Sequence, residues 1–126
     1  MLGYVDTSVI VAITLGENGA DAVLQKVRPF QLVAAPLLEA EWRSACHRDG
    51  IAADPALLRE IEWIVAPGEL SSQLTRVFEA GYLRGADAWH LATALYLAPD
   101  PGELTFLTLD QRQSDIAAKL GFTLVS

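Results

Sequence analysis

The chain has a single cysteine, Cys46, in 126 residues. An internal disulfide is therefore excluded, as is any metal site built from several thiolates. A reducing cytoplasm is the expected setting. Histidine is almost as scarce, with two in all. No apolar run approaches the roughly 18 residues that a membrane-spanning helix needs, so no membrane association is expected. The N-terminal stretch MLGYVDTSVIVAITLGENG is apolar, but it carries Asp6 and no basic residue ahead of its apolar part. It does not read as a secretory signal. Internal repeats, low-complexity tracts and linker-like segments are missing as well. Positive charge is also short: nine Lys and Arg stand against sixteen Asp and Glu, a formal net charge of −7. That argues against simple electrostatic adsorption to nucleic acid, which wants a basic face. The sign changes meaning locally if carboxylates converge on cations. Two bound divalent ions would move −7 to about −3, and would do so at the site itself.

What is present is a globular composition. Hydrophobic residues make up 52% and charged residues 20%, which separates the chain from disordered sequences. Its length suits one domain, residues 1–126, around one core. Residues 2–6 (LGYVD) form a short apolar strand ending in an acid. Thr7 and Ser8 are placed to cap the helix SVIVAITLG, which Gly16 stops. A second amphipathic helix is predicted over 18–28, and an apolar strand over 31–35. Pro36 opens a helix through LLEAEWRSACHRD, ended by Gly50. Asp54-Pro55 is a cap followed by a favourable first-turn proline, so the pattern predicts a helix over 55–65, broken at Pro67-Gly68. Helical periodicity returns over 69–82 and from about 86 to 98. Residues 99–103 are a loop, 105–108 a strand, 111–120 a helix capped by Asp110, and FTLV a last strand. Apolar strands separated by helices imply an α/β fold with a parallel sheet covered on both faces. Ligands in such sheets bind beyond the carboxyl ends of the strands.

Acids occupy those places. Asp6 follows the first strand and Asp110 follows the strand TFLT. If both strands are central and parallel, the two carboxylates emerge at one sheet edge. Asp87 falls in line with Leu91, Ala94, Leu95 and Ala98, on the helix face expected to pack inward. A carboxylate at the head of a buried stripe needs a partner, and a metal ion is one. Glu39 and Glu41 share a helix but lie about 200° apart around it. They flank the apolar stripe of Leu38, Trp42, Ala45 and Cys46 on opposite sides, and periodicity does not choose between them. His90 lies about 60° from Asp87 on its helix, among hydrophobic neighbours. It is read as a packing or hydrogen-bonding residue. Cys46 belongs to the core. Hard oxygen donors without a cysteine pair point to Mg²⁺, with Mn²⁺ as a substitute, rather than zinc. Carboxylate-held Mg²⁺ can polarise a phosphodiester and lower the pKa of an attacking water. Phosphodiester hydrolysis is a sensible use of such a cluster. Arg48, Arg84 and Arg112 follow or precede these acids and are candidates to hold substrate phosphates.

The segments YVDTSVIVA (4–12), EAEWRSA (39–45), RGADAWHLATAL (84–95) and FLTLDQRQSDIAAKLGF (106–122) resemble, in order, the four acid-bearing segments of PIN domains. Trp42 stands where leucine is common. RGADAWHLATAL and TLD are the specific parts. The resemblance implies a PIN-like fold with a central parallel sheet of four to five short strands and helices on both faces. It implies Asp6, Glu41, Asp87 and Asp110 as catalytic, metal-binding carboxylates, and it favours Glu41 over Glu39. Ser8, Thr108 and Asp115 are implied as supports of the carboxylates. Length and organisation resemble VapC toxins, which cut RNA and are held inactive by a VapB-type antitoxin. That likeness implies an RNA substrate, such an antitoxin partner and a homodimer. A non-catalytic scaffold of the same fold would tolerate loss of the acids, yet all four are here. A nuclease acting on DNA uses the same cluster. A phosphatase with Asp6 as nucleophile wants a second Asp two residues later, where this chain has Ser8.

Overall fold

A computed structural model describes residues 1–125. Five short strands, β1 (Leu2–Val5), β2 (Gln31–Ala34), β3 (Ile61–Trp63), β4 (Thr105–Leu107) and β5 (Thr123–Leu124), form one sheet. Its order is β3-β2-β1-β4-β5, and every pairing is parallel. Six helices cover it: α1 (Thr7–Leu15), α2 (Ala20–Val27), α3 (Leu37–Arg48), α4 (Ser71–Ala80), α5 (Gly85–Leu97) and α6 (Gln111–Leu120). The α/β fold with five parallel strands matches the PIN-like expectation.

The strand order decides where a site can form. From β1 the chain steps outward to β2 and β3, then crosses back to β4 and steps the other way to β5. Right-handed crossovers in opposite directions put their helices on opposite faces. The main helix packings follow that division, with α1 against α2 and α3, and α4 against α5 and α6. The reversal falls between β1 and β4, whose carboxyl ends therefore border an open crevice. Val5 pairs with Leu107, and the Asp6 N–H donates to the Leu107 carbonyl at 2.9 Å. The ladder thus carries Asp6 and Thr108 to the crevice together.

Packing beneath the crevice is aromatic. The Tyr4 and Phe106 rings stack across the β1/β4 pair with centroids 5.4 Å apart, and Phe122 follows at 5.8 Å. Gly3, next to Tyr4 in β1, is crowded by neighbouring side chains. A Cβ there would lie 2.9 Å from Leu107 Cδ1 and 3.1 Å from Phe30 Cβ, so any side chain at this position would have to push the Leu107 and Phe30 side chains aside.

The structure corrects two expectations. Residues 55–65 are not a helix. Asp54 does cap a turn, accepting the Ala56 N–H at 3.0 Å, but only a 3₁₀ turn follows, Pro55–Leu58. The chain then extends as β3, with Ile61 buried, Glu62 exposed and Trp63 half-buried. Ile61 and Trp63 pair with Leu32 and Ala34 of β2. So short an apolar stretch reads equally as helix or strand, and the waiting edge of β2 decides. The second correction concerns the cap of α1. Asp6, not Thr7 or Ser8, accepts the orphan N–H, that of Ser8 at 3.1 Å.

Candidate active site

The inner wall of the crevice starts from Asp6, which is buried. Its Oδ2 accepts from the Ser8 N–H at 3.1 Å and faces the Thr108 hydroxyl at 3.2 Å. Thr108 also donates to Gln113 Oε1 at 2.7 Å, while its oxygen accepts the Asp110 N–H at 3.1 Å. One hydroxyl hydrogen serves one short bond fully, so the Gln113 contact dominates and Asp6 receives the weaker share. Ser8 Oγ accepts the Leu109 N–H at 3.0 Å. Ser8 and Thr108 therefore tie the end of β1 to the end of β4, as supports of the acid.

Glu41 reaches the same region from α3. Its Oε1 accepts from the Thr7 hydroxyl at 2.7 Å and meets His90 Nε2 at 2.6 Å. The neighbouring Glu39 instead pairs with Arg43 at 2.7 Å on the outer surface. That separates the two glutamates that periodicity left open. Behind Glu41, His90 is fully buried and its Nδ1 lies 2.7 Å from the Tyr4 hydroxyl. The Tyr4 oxygen accepts the Ala35 N–H at 3.0 Å. Burial pushes the Tyr4 hydroxyl pKa far up, so Tyr4 keeps its O–H and donates a hydrogen bond to Nδ1. His90 then carries its hydrogen on Nε2 and donates to Glu41. Burial raises the Glu41 carboxyl, but the hydrogen bonds from His90 and Thr7 outweigh it and hold it below the ordinary value.

The outer wall is built from α5 and α6. Asp87 is half-buried in the first turn of α5, and Leu91, Ala94, Leu95 and Ala98 behind it are buried as its helix face requires. Burial raises the Asp87 carboxyl, and repulsion from Asp6, Asp110 and Glu41 raises it further. Asp87 thus feels the charge of the other three acids. Asp110 caps α6, its Oδ1 accepting the Gln113 N–H at 2.8 Å. Gln113 is fully buried and its amide donates to the Asp87 carbonyl at 3.2 Å. It ties α5, α6 and the end of β4 into one rim. Asp87 and Asp110 line an open cleft of ≈ 490 Å³ with Tyr82, Leu83, Arg84 and Arg112.

A common pattern runs through the four acids. Among the described residues, Asp6, Glu41 and Asp110 each take hydrogen bonds on one oxygen, and Asp87 takes none on its carboxylate. Asp6 Oδ1, Glu41 Oε2, Asp110 Oδ2 and both Asp87 oxygens accept nothing. No buried side-chain oxygen among the described residues lacks a partner, so these oxygens reach solvent. Their chemistry suits a hard divalent cation. As arranged, though, no three His, Cys, Asp or Glu groups among the described residues stand close enough to chelate one ion.

The PIN domain family model matches residues 3–119. The chain belongs to the PIN domain family. No curated protein and no solved structure matches it. PIN domains are in general metal-dependent nucleases, which supports a hydrolase. Within this PIN domain the remaining site residues separate clearly. Arg84 and Arg112 line the acid cleft. Arg48 does not: it is exposed at the far end of α3 and pairs with Asp49 at 3.1 Å. Seven residues along a helix carry it about 10 Å from Glu41, a displacement that a helical wheel does not register. Asp115 is exposed and accepts from Gln111 Nε2 at 2.8 Å, on the surface of α6 rather than in the cleft. Sequence reasoning missed Tyr4, Thr7, Gln113 and Tyr82 as parts of the site. Only Gln113 left a signal. It shares the inward face of α6 with Ile116 and Ala117, where an amide needs a reason to be buried. Among the described residues no helix is long and apolar enough to cross a membrane.

Proposed function

We propose that the chain is a Mg²⁺-dependent endoribonuclease, working as one PIN-like domain in the cytoplasm as the toxin of a type II toxin–antitoxin pair. The observation that carries the nuclease reading is the set of unbonded carboxylate oxygens. Burial and the three acids Asp6, Asp110 and Glu41 raise Asp87, and each of the four acids keeps at least one oxygen free of hydrogen bonds. Asp6, Glu41, Asp87 and Asp110 would hold Mg²⁺, with Mn²⁺ able to substitute. When bound, such a cation neutralises charge on the phosphodiester and activates water for attack. The residues do the positioning. Thr7 and His90 orient Glu41, Ser8 and Thr108 orient Asp6, and Arg84 and Arg112 are placed to hold flanking phosphates. Hydrolysis is direct, with no covalent enzyme intermediate. The choice of RNA, the VapB-type antitoxin partner and a homodimer rest on the resemblance to VapC toxins.

Cleavage of structured RNAs with Mg²⁺, with EDTA, and by the Asp6→Asn variant tests this. EDTA should abolish cleavage, and the variant should lose on the order of 10²–10³-fold in rate, the usual cost of removing one preorganised electrostatic group. Undiminished cleavage in either arm would remove the proposed site. Preferential cutting of DNA would overturn the ribonuclease assignment alone.

A further inference from the structure

Tyr82 sits in the joint between α4 and α5, with 68% of its surface exposed. Large aromatic rings are normally put to use by burial, so a ring left in water beside a catalytic-type cleft calls for a use. The Arg112 guanidinium lies over this ring, 5.9 Å from its centroid. Ring and guanidinium line the same cleft as Asp87, Asp110 and Arg84. Its ≈ 490 Å³ falls in the roughly 300–1,000 Å³ range of small-ligand sites. Among the described residues, the arginines in ion pairs are Arg43 and Arg48. Arg84 and Arg112 are not among them, and their charge is available to an anion.

We propose that Tyr82, backed by Arg112, is a stacking platform for one unpaired nucleobase, with the adjoining phosphates on Arg84 and Arg112. The proposal rests on the nuclease reading for the polymer and deepens it. An aromatic face and two guanidinium groups, Arg84 and Arg112, beside Asp87 and Asp110 fit a nucleotide better than a bare phosphate, because a phosphate has no use for the ring. Bases in a duplex have their faces covered by neighbours, so stacking selects a single strand, a loop or a splayed nucleotide. Every base has a π-face, so the platform chooses strand state rather than base identity.

The test uses a short single-stranded RNA carrying one 2-aminopurine, whose fluorescence is quenched by stacking. It is titrated with full-length Asp6→Asn protein in Mg²⁺, to avoid cleavage. The parent should quench the probe. Adding Tyr82→Ala should abolish quenching and weaken binding roughly tenfold to a hundredfold. Adding Tyr82→Phe or Tyr82→Trp should keep both. The same RNA annealed to its complement should bind equally with and without Tyr82. Unchanged quenching and affinity in Tyr82→Ala would overturn the platform, as would an equal dependence of duplex binding on Tyr82. The first of those results is also what a protein-docking role for Tyr82 would give. The two readings fail separately. Stacking without cleavage by the wild-type chain sinks only the nuclease assignment, and cleavage without stacking sinks only the platform.

Discussion

Asp6 and Glu41 stand on the inner side of the crevice, and Asp87 and Asp110 on the outer side. The two pairs are built in opposite ways. The inner carboxylates are fed by donors: Ser8 and Thr108 for Asp6, Thr7 and His90 for Glu41. The chain behind Glu41 runs through His90 and Tyr4 to the Ala35 backbone. The outer carboxylates have little such support. Asp110 has one backbone N–H, and the Asp87 carboxylate has no hydrogen-bond partner among the described residues. The charge on Asp87 is instead opposed by burial first and by the other three acids second. One side of the site is therefore held by hydrogen bonds, and the other places carboxylates with few donors in the cleft. The opposite shifts of Glu41 and Asp87 express the same division.

Among the residues that support the acids, the largest expected effect comes from dismantling the inner side at His90. His90→Leu removes the donor to Glu41 and the acceptor of Tyr4. Residues that hold a metal ligand in place are typically worth 10–100-fold in affinity or activity. Mn²⁺ affinity, read by electron paramagnetic resonance, should fall by roughly that range, and His90→Gln, whose amide still donates, should recover part of it. An unaltered Mn²⁺ affinity in folded His90→Leu would break the contrast.

A smaller effect separates the two sides by pH, with EDTA present. Asp87 is raised when folded, so the folded state binds more protons than the unfolded one just above the ordinary carboxylate range. Stability then falls as pH rises through its titration. Asp87→Asn should be more stable than wild type near neutral pH, with the gain vanishing on acidification. Glu41 is lowered, so its contribution is present above the ordinary range and lost as pH falls through the folded pKa. Glu41→Gln should be less stable near neutral pH, and that deficit should also vanish in acid. Urea denaturation across pH measures both. Equal signs for the two variants at neutral pH would contradict the division.

The sequence reveals the outer side of the site better than the inner. Asp87 shows itself locally, as a carboxylate in register with Leu91, Ala94 and Leu95. Asp110 shows itself as an acid between a strand and a helix. The sheet is legible for the same reason, because its apolar strands are divided by helices. What selects Glu41 over Glu39 is distant: Thr7 is 34 residues away and His90 is 49. Tyr4 and His90 are 86 apart, and no local pattern links them. β3 escaped because three residues have too few periods to show strand character, and only pairing with β2 determines them. Arg48 is expected at the site because angle around a helix is readable while distance along it is easily discounted, and Asp115 only because the resemblance implies it.

The account stands on four carboxylates acting together on one kind of cation. Calorimetric titration of the folded chain with Mn²⁺ addresses it directly, alongside Asp6→Asn, Glu41→Gln, Asp87→Asn and Asp110→Asn. Saturable binding by the wild type, weakened in each of the four variants, is the predicted result. A wild type that takes up no Mn²⁺, or variants that bind it as the wild type does, would contradict it.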